Sequence, residues 1–94
     1  MTPLCLDNAH YVLQITKHFA PDPDITQTFN DTLMIDWEVG RKYLLLEVGD
    51  KKFSATYWND GPDENSTYEG PFSYKLITLL KNALREMYPE YVCH

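Results

Sequence analysis

Apolar residues recur along this chain first with the period of a helix, then of a strand, then of a helix again. From about Asp7 to Phe19, the residues Tyr11, Val12, Ile15 and Phe19 follow at steps of three and four, which puts them on one helical face. Asp7 or Asn8 can cap its start, and Thr2 followed by Pro3 offers an earlier cap and first-turn pair. Pro21 and Pro23 then forbid continuation, making Ala20 to Asp24 a stiff connector.

From Ile25 the period becomes two. Ile25 to Phe29 reads as a short strand, and Leu33, Ile35 and Trp37 then alternate with Met34, Asp36 and Glu38. After a turn at Gly40, Leu44, Leu46 and Val48 alternate with Tyr43, Leu45 and Glu47. Gly49-Asp50-Lys51 marks a second turn, and Phe53 to Trp58 a third clear strand. Turns this short imply an antiparallel meander. Asn59 to Gly70 reads as a loop, holding Asp60, Asp63, Glu64 and Glu69 and no base. Between Pro71 and Tyr88 the residues Phe72, Leu76, Leu79, Leu80, Ala83, Leu84 and Met87 trace a broad apolar helical face. Gly70-Pro71 starts that helix or Ser73 caps it, and Pro89 stops it.

The expected fold is therefore α+β, one domain over residues 1–94. It is a two-layer sandwich, with an antiparallel three- to four-stranded meander flanked in sequence by an N-terminal and a C-terminal helix. Both helices cover one sheet face, whose half of the core is Leu33/Ile35/Trp37, Leu44/Leu46/Val48 and Phe53/Ala55/Tyr57. The other face is left with Met34, Asp36, Glu38, Tyr43, Leu45, Glu47, Ser54, Thr56 and Trp58. An aromatic and aliphatic patch edged by carboxylates has the make-up of a protein-binding surface. The reverse register of the third strand, burying Trp58 and exposing Tyr57, is the alternative.

Composition narrows what this surface can meet. With 94 residues, 44% hydrophobic and 14% aromatic, the chain can fold as one small domain. Fourteen acids against eight bases give a net charge of −6. Without a Lys/Arg stripe there is no means of neutralising phosphates, so direct nucleic-acid binding is not expected. A partner protein with a basic surface is. The start, Met1-Thr2-Pro3-Leu4-Cys5, lacks the build of a signal peptide, and the longest apolar run, Tyr43 to Leu46, is far short of a membrane span. A cytoplasmic protein with free thiols at Cys5 and Cys93 is the expectation.

Sites for chemistry are sparse. The oxygen-rich run Asn59 to Asn65 lacks EF-hand spacing, and Cys5, His10, Cys93 and His94 match no zinc motif. No phosphate loop, nucleophile elbow or H-E-x-x-H occurs. Asp36 and Glu38 are same-face neighbours, but a chain this size has little material for a cleft around them. The expectation is a non-enzyme without cofactor or metal.

The stretch Leu33-Met34-Ile35-Asp36-Trp37-Glu38-Val39-Gly40, followed by Tyr43-Leu44-Leu45-Leu46-Glu47-Val48-Gly49, resembles a meander of many small bacterial and phage proteins. In these a Trp-Glu strand end, a glycine turn and a Leu-x-Leu-Glu strand precede an aromatic third strand. The resemblance spans about a third of the chain. Size and acidity are similar to those of anti-CRISPR and other phage inhibitors, several of which present carboxylates to a nuclease's nucleic-acid channel. The resemblance implies an anti-defence inhibitor blocking a nuclease or CRISPR effector, in the host bacterial cytosol if phage-encoded. An antitoxin or immunity protein, or a homodimeric adaptor using the open sheet face, is the alternative. The partner-binding residues expected on either view are Met34, Asp36, Glu38, Tyr43, Leu45, Glu47, Trp58, Asp60, Asp63, Glu64 and Glu69.

Overall fold

A computed structural model describes residues 2–59 and 65–91. Helix α1 (Pro3–Thr16) leads into a five-stranded sheet, and helix α2 (Tyr74–Met87) ends the chain. The strands β1 (Asp24–Gln27), β2 (Leu33–Val39), β3 (Lys42–Val48), β4 (Phe53–Asn59) and β5 (Asn65–Gly70) pair antiparallel in sequence order. This is the expected α+β meander between two helices, with one strand more than the alternation predicts.

The two-residue turn between β2 and β3 works because Gly40 takes φ of +59°, a conformation open to glycine at little cost. Register follows: Val39 faces Lys42, Trp37 faces Leu44, and Leu44 faces Tyr57. Leu33, Ile35, Trp37, Leu44, Leu46, Val48, Phe53, Ala55 and Tyr57 are all buried under the helices. Tyr57 is 5% exposed and Trp58 36%, so the register that buries Trp58 does not occur.

Strand β5 occupies what the sequence suggested was loop. Its helix-side positions are Ser66, Tyr68 and Gly70, of which only Tyr68 packs against the core. An edge strand with one apolar anchor carries almost no period-two signal. Hydrogen bonding fixes it instead: Ser73 Oγ donates to Tyr68 Oη at 2.7 Å, and the Tyr68 hydroxyl donates to the Pro71 carbonyl at 2.5 Å.

Helix α1 starts earlier than its periodicity suggested, capped by Thr2, whose side chain accepts from the Cys5 amide at 3.2 Å. Its buried row is Cys5, Ala9, Val12 and Thr16, while Tyr11 stands 56% exposed and Ile15 is half-buried. Small side chains let the helix approach the sheet, so the larger apolar residues are displaced to its flanks. Asn8 pins the helix by donating to the carbonyls of Gly49 (3.0 Å) and Asp50 (2.9 Å). The buried Cys5 thiol donates to the Val48 carbonyl at 3.2 Å, and burial, then Asp50, pushes its pKa up. Cys5 is a core thiol; Cys93 lies outside the described residues.

Ser73 caps α2, accepting from the Leu76 amide, and Leu76, Leu80, Ala83, Leu84 and Met87 are buried. Phe72, expected on that apolar face, precedes the helix and sits half-exposed edge-on between Tyr11 and Phe53. The Trp37 indole donates to the Pro21 carbonyl at 2.9 Å, tying the connector to the sheet. Both helices lie on one side, and among the described residues nothing covers the other. No described helix is long and apolar enough to cross a membrane.

Candidate functional site

Alternation along five strands places one side chain in two on the uncovered face. Three cross-strand rows result. Glu38, Tyr43 and Trp58 form the first, Asp24, Asp36, Leu45, Thr56 and Thr67 the second, and Thr26, Met34, Glu47, Ser54 and Glu69 the third. Met34, Asp36, Glu38, Tyr43, Leu45, Glu47 and Trp58 are thus brought together as expected, with Glu69 at the β5 edge. Asp60, Asp63 and Glu64 lie outside the described residues.

The apolar part is compact. Tyr43 and Trp58 stack at 5.4 Å between centroids with planes tilted by 55°. Leu45 and Met34 are half-buried among their neighbours, and Trp58 is the most exposed of this group. Such a pair supplies rigid contact area at low entropic cost, the property of an interface anchor.

Charge at the strand positions of this face has one sign, and Lys52 reaches its β5 edge to pair with Glu69. Asp24, Asp36, Glu38, Glu47 and Glu69 occupy strand positions there, and no lysine or arginine does. Most bases are elsewhere. Lys17 caps α1, and Lys75, Lys81 and Arg85 belong to α2. Lys42 points to the helix side and Arg41 sits in a turn, while Lys51 and Lys52, in the β3–β4 connection, border the face beside Glu47 and Glu69. Lys81 and Arg85 lie over the Phe19 ring at 5.7 and 5.1 Å, which holds them in the helical layer.

Some carboxylates are held in place. Tyr43 donates its hydroxyl to Asp36 Oδ2 at 3.1 Å, and Thr32 donates to Glu47 Oε2 at 2.6 Å. Lys52 bridges Glu69 at 2.5 Å across a well-exposed pair. Asp24 and Asp36 sit directly opposite, a like-charge cross-strand pair. Burial is the main cause raising the Tyr43 pKa, reinforced by Asp36, Glu38 and Asp24, so the phenol registers the field of these three carboxylates.

No family model, curated protein or solved structure matches the chain. The site therefore rests on its own chemistry. Among the described residues no group of three or more His, Cys, Asp or Glu is placed to hold a metal ion.

One acidic contributor was missed from sequence. Asp24 alternates in step with Thr26 and joins the acidic row, but the strand was expected to start only at Ile25. Phe29, expected to end that strand, is fully exposed on the β1–β2 loop. There Asp31 has φ of +59°, and Thr28 accepts from the amides of Asn30 and Thr32. Thr28 and Thr32 also share a 2.6 Å hydroxyl contact, so the loop presenting Phe29 is ordered by its own polar groups and joined to Glu47 through Thr32.

Proposed function

We propose that this chain acts by binding, without catalysis, docking its open sheet face on a basic surface of a partner protein and thereby blocking it. The observation that carries this reading is the segregation of charge: five carboxylates and no base at the strand positions of a face that also presents Tyr43, Leu45, Met34 and Trp58, with Lys52 meeting Glu69 at its β5 edge. Surfaces built to bind phosphates carry clustered Lys and Arg, so an acidic face with aromatic anchors can compete with nucleic acid for them. A nuclease or CRISPR-type effector is the class of target with such a channel, as an anti-defence inhibitor or antitoxin requires. Self-association through the same face is disfavoured, because it would set like charges against each other.

The test compares the natural protein with a variant carrying Asp24→Asn, Asp36→Asn, Glu38→Gln and Glu47→Gln as baits in the native host. Partners retained by the former and lost by the latter should be basic nucleic-acid-binding proteins. Oligonucleotide should displace the bait, and affinity should fall steeply with salt. If the target is a nuclease, cleavage should stop when the protein is added. Equal retention by both baits at every salt concentration defeats the proposal.

A further inference from the structure

We propose that β5 accepts an extended segment of a partner protein as a sixth strand, seated in the groove between β5 and α2. The two sheet edges are not alike. Strand β1 has four residues and follows Pro21 and Pro23, features that blunt an edge. Strand β5 has six residues and no lysine or proline, and its one charge, Glu69, is engaged by Lys52. Its outer backbone groups are covered by no described element.

Beside this edge runs a groove of about 580 Å³, lined among others by Tyr57, Ser66, Tyr74, Thr78, Leu79 and Asn82. It exists because Ser66 is small: two residues on, Tyr68 fills the equivalent helix-side space and packs on the core. Lining residues of α2 extend from Tyr74 to Glu86, which at ~1.5 Å per residue makes a wall roughly 18 Å long. At ~3.3 Å per residue, five or six extended residues match that wall, and β5 is of the same length. Leu79 and Ala83 supply apolar lining, and Tyr74, 87% exposed, lines the groove as well. The Tyr57 hydroxyl lines the same groove, buried and without a hydrogen bond among the described residues.

Strand addition dictates the sequence of the guest. Its side chains would fall alternately on the open face, beside Thr67 and Glu69, and in the groove, against Leu79 and Tyr74. The second set should be apolar, and the first basic, sharing Glu69 with Lys52. The basic half rests on the anionic-face reading above; the backbone pairing does not.

Two fluorescein-labelled hexapeptides of one composition, Arg-Val-Arg-Val-Arg-Val and Arg-Arg-Arg-Val-Val-Val, separate the ideas by anisotropy titration of the full chain. The alternating peptide should bind at least tenfold tighter. It should slow hydrogen exchange of outward amides between Ser66 and Glu69 at least tenfold, a readout needing no variant. Ser66→Phe, which fills the groove without touching the backbone, should cost tenfold or more in affinity, provided its thermal unfolding matches that of the natural protein. Equal binding of both peptides with unprotected β5 amides overturns strand addition and leaves the anionic face standing. Tight, salt-independent binding of the alternating peptide upholds strand addition and removes its basic half. Failure of both peptides to bind overturns the proposal.

Discussion

Leu44 and Leu45 are neighbours in β3 with opposite fates, and replacing each by alanine tests whether the second sheet face is spare. Leu44 is 0% exposed, between Trp37 and Tyr57, while Leu45 is half-exposed between Asp36 and Thr56. Truncating a fully buried leucine costs about 2–5 kcal/mol, the transfer loss plus the cavity left behind. The half-exposed site can relax into solvent, and its loss should stay under about 1 kcal/mol. Unfolding entropy of ~2.1 cal/mol/K per residue gives roughly 0.2 kcal/mol/K for this chain. A central loss of about 3 kcal/mol for Leu44→Ala then lowers Tm by roughly 15 °C, against less than about 5 °C for Leu45→Ala. Thermal and urea unfolding followed by circular dichroism measure both, with an unchanged urea slope showing that compactness is unaltered. If Leu45→Ala proves as damaging as Leu44→Ala, the face serves folding, and it cannot be reserved for a partner.

Other consequences are as direct. Ser73→Ala removes the α2 cap and the hydroxyl that donates to Tyr68, and should lower stability by about 1–2 kcal/mol in urea titrations. The Tyr57 pKa is pushed up to about 12, by burial and then by Glu86, against 10.0 ordinarily. Between those values the unfolded chain has lost a proton that the fold retains, so stability should fall as pH rises from 10 towards 12, and Tyr57→Phe should flatten that slope. At neutral pH the same variant should be neutral or gain up to about 1 kcal/mol, since it removes a buried hydroxyl without a bond; a clear loss would mean the hydroxyl bonds Glu86 after all. Asp24→Asn relieves the repulsion with Asp36 and should raise stability by a few tenths of a kcal/mol at low salt, with no gain at high salt. In a Cys93→Ser background, alkylation of Cys5 should proceed at the rate of unfolding; prompt modification of the folded protein would show the thiol is not sealed.

What could be read from the sequence divides along physical lines. Where burial is one-sided and side chains are large, as in Leu33/Ile35/Trp37 and Leu44/Leu46/Val48, alternation identifies face, register and partner strand together. The same holds for α2, whose polar and apolar sides are distinct. Legibility failed where contacts involve small or polar groups. Cys5, Ala9 and Thr16 face the core of α1, yet the eye follows Tyr11, which is exposed. Strand β5 is written Asn-Ser-Thr-Tyr-Glu-Gly and held by one buried-side anchor plus the Tyr68 hydrogen bonds. The groove at Ser66 was invisible for the same reason: it is defined by a side chain that does not fill its place.

Charge is where fold and proposed function meet. A sheet covered on one side presents half of its strand positions to solvent, and any mixture of polar residues there would keep the domain dispersed. Random mixing would interleave signs, and interleaved signs are what surface ion pairs and solubility favour. Here most bases lie in the helical layer and the turns, two of them against the Phe19 ring, and Lys52 meets Glu69 at the β5 edge, while Asp24 and Asp36 are left facing each other. The Asp24–Asp36 pair weakens the free domain slightly. The basic partner proposed above would convert the deficit into attraction, since each lysine or arginine it brings would relieve a repulsion as well as form a contact. In the proposed complex the Tyr43–Trp58 pair beside Glu38 would set how long the encounter lasts, because apolar contact survives the salt that screens the carboxylates.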